Sequence, residues 1–323
     1  MLLIIYDILL GKGGALIIMR IGLLIYNPDS GSQKVPDFLD ELLAHGMSKG
    51  LFLVPVRLGP SPGFTDFLVR LLASPWVEFI IVSGGDGTIG SIARLVLSHR
   101  PSLPMGIMPS GTSNDFAESL HLPEDEWECI DVVAKGETAA LDVGRVNGEH
   151  IFLSTCAAGM FVNISYTISS QLKKSLGLLA YYISALGELP NIRPFPLRIE
   201  TDGEEVIEDV FLLFLLINGS QAAGLANLYP KASMMDGCMD LLLIRDVPPL
   251  DLPGLLLEII NRENIEDGRW FKRMSARRFK FTSPHPLLTT QDGEAGLPLP
   301  LDVEVLPRAL TVFVDAPLQI ENI

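Results

Sequence analysis

From Arg20 onward, short and wholly apolar runs alternate with stretches whose apolar residues recur three and four positions apart. Apolar runs without alternation suit strands buried on both faces, and the intervening spacing is that of crossover helices. Strands are expected over 21–26, 51–57, 79–82 and 105–108, with helices over 36–49, 65–73, 90–98 and 115–120. That order predicts a doubly wound parallel sheet. From 151 the character changes. The β-prone runs 151–157, 197–201, 211–218, 239–244, 278–283 and 301–305 are separated by Gly, Pro and Asp turns, which predicts an antiparallel sandwich. Two helices interrupt it, near 175–187 and 250–261, and 310–314 is a further strand whose sheet the pattern does not assign. The fold class expected is α/β, a doubly wound domain plus a second, β-sandwich domain.

Composition supports two cores and narrows the partners. At 323 residues and 48% hydrophobic content the chain exceeds what one core usually serves, about 250 to 300 residues. A net charge of -15 repels phosphate backbones, so nucleic acid is excluded as a partner. Three scattered cysteines (Cys129, Cys156, Cys238) form neither a disulfide framework nor a zinc site and fit a reducing cytoplasm, and the five histidines show no ligand spacing. Residues 1–18 are apolar but carry Asp7, Lys12 and three glycines, too short and interrupted for a span of roughly 20 residues. The positive charge follows the first apolar run, against the order of a signal peptide. The segment reads as an extension ahead of a start at Met19, with a peripheral membrane anchor as the alternative.

Three strand ends carry the candidate chemistry. The strand over 79–82 runs into Ser83, Gly84, Gly85, Asp86, Gly87 and Thr88 and then into a helix. Glycines at such a junction let backbone N–H groups approach phosphate, and the helix N-terminus adds a favourable dipole. Asp86 is out of place beside an anion unless a metal ion lies between them. The strand over 105–108 ends in Pro109, Ser110, Gly111, Thr112, Ser113, Asn114, Asp115 and Phe116, where Ser113 or Asn114 can also simply cap a helix. The first strand ends in Asn27, Pro28, Asp29, Ser30 and Gly31. Each could be an ordinary turn, but three such loops at neighbouring strand ends predict a nucleotide crevice. Aspartates around glycine-rich turns serve phosphoryl transfer if Mg²⁺ supplies positive charge, with a carboxylate on the facing wall to orient a hydroxyl. Asp292-Gly293 offers such a carboxylate and is equally a common hairpin turn.

The strings NPDSG (27–31), GGDGT (84–88) and GTSNDFA (111–117), in that order, resemble the nucleotide-binding half of the diacylglycerol kinase catalytic family, which includes bacterial lipid kinases and sphingosine and ceramide kinases. LDVG (141–144), KASMMDGCMDL (231–241) and QDGE (291–294) are similar to its downstream motifs, so the resemblance runs from Arg20 to the C-terminus. It implies an ATP-binding α/β domain over 19–145 to which 306–323 returns, and a β-sandwich lipid-binding domain over 146–305. It implies that Asp292 is the catalytic base and Glu294 a carboxylate near the nucleotide. ATP would be held by Asn27, Pro28, Asp29, Ser30, Gly31, Gly84, Gly85, Asp86, Gly87, Thr88, Ser110, Gly111, Thr112, Asn114, Asp115 and Asp142. Asp86, Asp115 and Asp142 would position the Mg²⁺ that travels with ATP. Asp236, with main-chain carbonyls of Ser233 and Cys238, would hold a second, structural Mg²⁺.

The activity implied is transfer of the γ-phosphate of ATP to a lipid hydroxyl, diacylglycerol giving phosphatidic acid being the leading case. A sphingoid base, ceramide or another polar lipid remain open as acceptors. An NAD kinase shares a GGDGT turn, and a nucleotide- or lipid-binding module without activity is the third reading. A cytoplasmic enzyme touching the membrane surface is implied, and a homodimer is compatible with it. Lipid access has two candidate segments. One is the apolar stretch 175–189 with Tyr181 and Tyr182, preceded by Lys173 and Lys174, which could line an acyl groove or be a buried core helix. The other is 269–281, with six basic residues and no acid, which could dock on anionic lipid at about 1 kcal/mol per cation or form a solvated strand face. The chain departs from the family pattern at Gly90 and Ser91, where Asn-Glu is usual, at Glu118, where a basic residue is usual, and over 58–63, where an expected threonine has no match.

Overall fold

The computed structural model describes residues 19–30, 35–111, 113–160, 193–203, 205–220, 232–248, 250–252, 254–255, 258 and 268–316. Strands β1 (Arg20–Tyr26), β2 (Leu51–Arg57), β3 (Phe79–Gly84) and β4 (Met105–Pro109) are parallel and lie in the order β2-β1-β3-β4. β3 and β4 are buried along their whole length, which is why their sequences show no alternation. Helices α1 (Val35–Ser48), α2 (Phe64–Leu72) and α3 (Asp86–His99) connect them, and α4 (Asp115–Ser119) and α5 (Glu126–Lys135) follow β4. The chain passes from β1 outward to β2, then returns to the other side of β1 as β3. The order therefore reverses between β1 and β3, and doubly wound sheets open their ligand crevice at the carboxyl ends of such a pair.

One helix start and one whole helix differ from expectation. α3 begins at Asp86, inside the glycine motif, because Gly85 takes the extended N-cap conformation (φ -84°, ψ 179°). α5 was not expected, although its signals are ordinary. Asp125 caps it by accepting from Trp127 N and Glu128 N, both at 3.0 Å, and Gly136 ends it at φ 82°.

The second half is antiparallel, with β5 (Thr138–Val146), β6 (His150–Phe152), β7 (Thr155–Gly159), β8 (Phe195–Thr201), β9 (Val206–Ile217), β10 (Met239–Arg245), β11 (Phe271–Ala276), β12 (Arg278–Thr282), β13 (Thr289–Gln291), β14 (Glu294–Ala295) and β15 (Leu301–Phe313). β9 serves two cores. Phe214 and Leu216 pack with Leu241, Phe279 and Phe281, while Leu213 and Ile217 pack with Ile244, Leu252, Leu255 and Phe271. Phe214 stacks on Phe281 at 4.6 Å between centroids. The two runs 301–305 and 310–314 are one strand, β15, bent where Arg308 adopts φ 51°. It pairs with β12 at its start and antiparallel with β5, while Val312 faces Met105 of β4 in parallel. Ladders thus run without a break from one half to the other.

The basic run divides between β11 and β12. Arg278 and Lys280 alternate with buried Phe279 and Phe281. Arg278 makes two bonds to Asp302, at 2.9 and 2.6 Å, and Lys272 Nζ bonds Glu205 at 2.8 Å. At these positions the run is a solvated strand face with paired charges. The expected helix over 175–187, with Lys173, Lys174, Tyr181 and Tyr182, lies outside the described residues, as do 1–18, 317–323 and half of 250–261. Among the described residues no helix is long and apolar enough to cross a membrane.

Candidate active site

The three glycine-rich junctions meet at the β1/β3 reversal. Asn27 N donates to Ser83 O at 3.0 Å and Asn27 Nδ2 to Thr88 Oγ1 at 3.2 Å, which ties the exit of β1 to the turn after β3. Asp29 N donates to Asn27 Oδ1 at 3.1 Å, and Pro28 is buried between them. Ser30 Oγ donates to Ser110 O at 3.3 Å, Ser110 Oγ to Ser30 Oγ at 3.0 Å, and Ser110 N to Gly84 O at 3.0 Å. Gly85 and Gly111 leave no room for side chains. A Cβ on Gly111 would lie 2.6 Å from Gly85 Cα and 2.7 Å from Asn114 Oδ1. Gly31 and Thr112 lie outside the described residues.

These loops enclose a cleft of about 510 Å³ edged by Asn27, Asp29, Ser30, Leu58, Gly85, Gly87, Thr88, Ser91, Ile92 and Glu294. Its floor is the first turn of α3, where N–H groups lack intrahelical partners and the helix dipole favours an anion. Both Ser91, one of the departures, and Leu58, from the loop without the expected threonine, are on its wall.

Capping at the second junction differs from expectation. Asn114 adopts φ 52° and accepts from Gly111 N at 2.8 Å, closing its own loop, and its side chain makes no cap hydrogen bond to α4. Asp86 Oδ1 accepts from Phe116 N at 3.3 Å and so caps α4 from the first turn of α3. Burial raises the pKa of Asp86, and the N–H groups of Phe116, Asp115 and Asn114 oppose that rise. Glu118 is also raised, first by burial, then by Glu124 and Asp86. Its carboxylate makes this corner still more acidic.

Asp142 is held by backbone amides of two distant segments. It is wholly buried on β5, its Oδ2 accepting from Gly237 N at 2.6 Å and its Oδ1 from Arg308 N at 2.7 Å. It therefore holds the 233–238 loop and the bend of β15. In that loop Ser233 Oγ accepts from Met235 N at 3.2 Å and the exposed Asp236 accepts from Cys238 N at 2.8 Å. Among the described residues no group of three or more His, Cys, Asp or Glu side chains could by itself hold a metal ion.

Asp292 is both a hairpin turn and an aimed carboxylate. With Gly293 it forms the two-residue link of β13 and β14, at φ 50° and 76°, the left-handed pair that Asp-Gly favours. Its carboxylate accepts from Leu153 N at 2.9 Å, Ser154 N at 2.8 Å and Thr155 N at 3.2 Å, and its own N–H donates to Thr155 O at 2.9 Å. Burial raises its pKa, while those three donors and the Arg94 guanidinium oppose the rise. The turn points at α3. A Cβ on Gly87 would lie 2.5 Å from Glu294 Oε1, and one on Gly90 would lie 3.5 Å from Asp292 Oδ2.

Two residues that sequence reasoning missed support this arrangement. Asn218 is buried and its Nδ2 donates to Asp142 O at 2.8 Å and Leu153 O at 2.7 Å, linking the Asp142 loop to the amides that hold Asp292. Arg94, on α3, lies 3.8 Å from Glu294 Oε2. Nothing local marks either one, since both depend on strands brought together from distant parts of the chain.

Comparison with known proteins gives the family. Residues 22–146 match the diacylglycerol kinase catalytic domain, and residues 156–314 match the YegS C-terminal NAD kinase beta sandwich-like domain. A crystal structure of a diacylglycerol kinase from Bacillus anthracis str. Sterne shares the fold, with a TM-score of 0.71 at 22% identity over 92% of this chain and 97% of that one. The chain is 30% identical over 299 residues to a diacylglycerol kinase of Staphylococcus carnosus (strain TM300), covering 93% of this chain and 96% of the relative. It is 30% identical to that of Bacillus subtilis (strain 168), covering 92% and 97%. With both halves matched in order and such relatives aligned nearly end to end, this chain belongs to the diacylglycerol kinase family.

Proposed function

We propose that the protein transfers the γ-phosphoryl group of ATP to the hydroxyl of a membrane lipid, diacylglycerol first among acceptors, giving phosphatidic acid. The observation that carries this reading is the Asp292–Glu294 turn meeting the first turns of α3, so that a carboxylate from one half faces the phosphate-binding turn of the other. The relatives known as diacylglycerol kinases support the choice of acceptor. Residues 19–145, with 306–323 returning to them, hold ATP, and residues 146–305 supply the base and receive the lipid.

Asn27, Pro28, Asp29, Ser30 and Gly31, with Gly84 to Thr88 and the loop Ser110, Gly111, Thr112 and Asn114, surround the polyphosphate, and Glu294 closes the far edge. The donor chemistry fits a magnesium nucleotide. Such an ion takes one or two protein carboxylates and completes its shell from phosphate and water. Asp86, Asp115 and Asp142 would position it, and Asp142 also fixes the 233–238 loop through Gly237 N. There Asp236 and main-chain carbonyls of Ser233 and Cys238 would hold a second, hydrated ion. When bound, Mg²⁺ neutralises phosphate charge that Asp29, Asp86 and Glu294 would otherwise repel.

Asp292 accepts the proton of the lipid hydroxyl as its oxygen forms a bond to the γ-phosphorus and the bond from that phosphorus to the ADP oxygen breaks. The three N–H donors around its carboxylate hold its direction. Because the acceptor sits in a bilayer, the protein works as a cytoplasmic enzyme docked peripherally on the membrane.

Labelled ATP, incubated with the protein and a lipid panel in mixed micelles with and without Mg²⁺, tests the reading. With NAD also present, label is expected in phosphatidic acid, dependent on Mg²⁺, and not in NADP. Labelled NADP with unlabelled lipids would overturn it. The glycine contact gives a second test. In Gly111→Ala the Cβ must displace the Gly85 backbone, and the KM for ATP is expected to rise about tenfold, the equivalent of a modest overpacking cost. An unchanged KM would mean that this contact does not shape the ATP site.

A further inference from the structure

We propose that Arg94 is a positioning residue of the transfer site, its guanidinium holding the Asp292 carboxylate ready to accept a proton and Glu294 turned toward the cleft. The inference rests on the reading of Asp292 as base. Arg94 lies four residues after Gly90 on α3, so the two share one face of the helix whose first turn is the glycine motif. Gly90 has no side chain, and a Cβ there would stand 3.4 Å from Arg94 Nη1 and 3.5 Å from Asp292 Oδ2. Cation and carboxylate thus border the same bare spot with no side chain between them.

The guanidinium is anchored to its own helix and to β6. Nη2 donates to Ser91 Oγ at 3.0 Å, and Nη1 donates to Ile151 O at 3.4 Å, two residues before the first amide that holds Asp292. Nη2 also lies 3.8 Å from Glu294 Oε2. Gly90 and Ser91, where this chain departs from its family, therefore supply the space and the anchor for Arg94.

Among the described residues, the ionisable groups around Asp292 include Arg94 from α3 and the Cys156 thiol from β7, with Glu294 of β14 two positions on and 3.8 Å from Arg94. Burial pushes the Cys156 thiol far up, so it stays neutral, and Glu294 adds negative charge. Burial alone favours the protonated carboxyl of Asp292, and Arg94 is the charged side chain opposing it. Losing that charge leaves Asp292 protonated to a higher pH. Its base form then disappears earlier on acidification.

The test is the pH profile of kcat with the full chain, MgATP and diacylglycerol micelles, for the parent, Arg94→Gln, Arg94→Lys and Asp292→Asn. In Arg94→Gln the acid limb is expected to move to higher pH, so that kcat on the parent's acid limb falls about three- to tenfold while the loss shrinks toward the alkaline plateau. Arg94→Lys keeps the charge and is expected to restore most of the limb. An unmoved limb in Arg94→Gln, or an equal displacement in Arg94→Lys, overturns the inference. Those outcomes beside an inactive Asp292→Asn variant leave the base assignment standing. Near-normal turnover of Asp292→Asn removes the base assignment and this inference together.

Discussion

Asp292→Asn is expected to lower kcat by about 10² or more while the protein stays folded, because general-base assistance is typically worth 10² to 10⁴. The substitution separates the two roles of this residue. Asparagine tolerates the left-handed conformation that the turn requires, and its carbonyl oxygen still accepts from Ser154 N and Thr155 N. The hairpin and the wall of the cleft therefore persist, while the proton acceptor is lost and Leu153 N, 2.9 Å from Oδ2, keeps only Oδ1 at 3.1 Å as its acceptor. Turnover with saturating MgATP and lipid, measured beside a urea unfolding midpoint, gives both quantities. Normal turnover at an unchanged midpoint would leave Asp292 as a turn residue alone.

Asp142→Ala is expected to destabilise the protein by about 3 to 5 kcal/mol, the second large effect. The carboxylate is wholly buried, and its removal strands the N–H groups of Gly237 and Arg308. Each stranded donor costs about 1 to 3 kcal/mol, and the vacated volume adds to that. Urea unfolding measures it, and a loss below about 1 kcal/mol would show that the 233–238 loop and the β15 bend do not depend on Asp142. The pH dependence has a definite sign. Burial raises the pKa of Asp142 in the folded state, with the Arg308 and Gly237 amides opposing. A raised folded value means that its contribution is complete at low pH and is lost as pH rises through that value. Asp142→Asn, which cannot ionise, is therefore expected to cost less at pH 8 than at pH 5.

Much of the fold was legible because burial on both faces leaves a signature. β1, β3 and β4 read as apolar runs, and the strand–helix alternation gave the doubly wound sheet. β11 was missed because Lys272 and Arg273 sit on a strand whose buried ends are Phe271 and Ala276, so charge masked the alternation. β5 was missed because its middle, 141–144, was read only as a motif, whereas Leu141 and Val143 face the core of the first half. The start of α3 was misplaced because Gly85, Asp86 and Gly87 look like loop residues until the extended N-cap is known.

Of the site, the residues that act through the backbone were the ones the sequence could suggest. Glycines at strand ends imply close approach whatever the partner, and Gly85 against Gly111 realises it. Which carboxylates meet is a matter of tertiary placement. Asp142 follows a motif in sequence, yet β5 carries it to the 233–238 loop. Asp86 instead reaches across to α4. Arg94 would pass as a solvated helix residue, and only the pairing of a bare Gly90 with a cation four positions later could have drawn notice.

A crystal structure with Mg²⁺ and a non-hydrolysable ATP analogue tests the central claim most directly. The account predicts the triphosphate over Gly85 to Thr88, with the γ-phosphate turned toward Asp292. A γ-phosphate pointing away from that side chain, or an analogue bound outside the cleft of Asn27, Thr88 and Glu294, would contradict it.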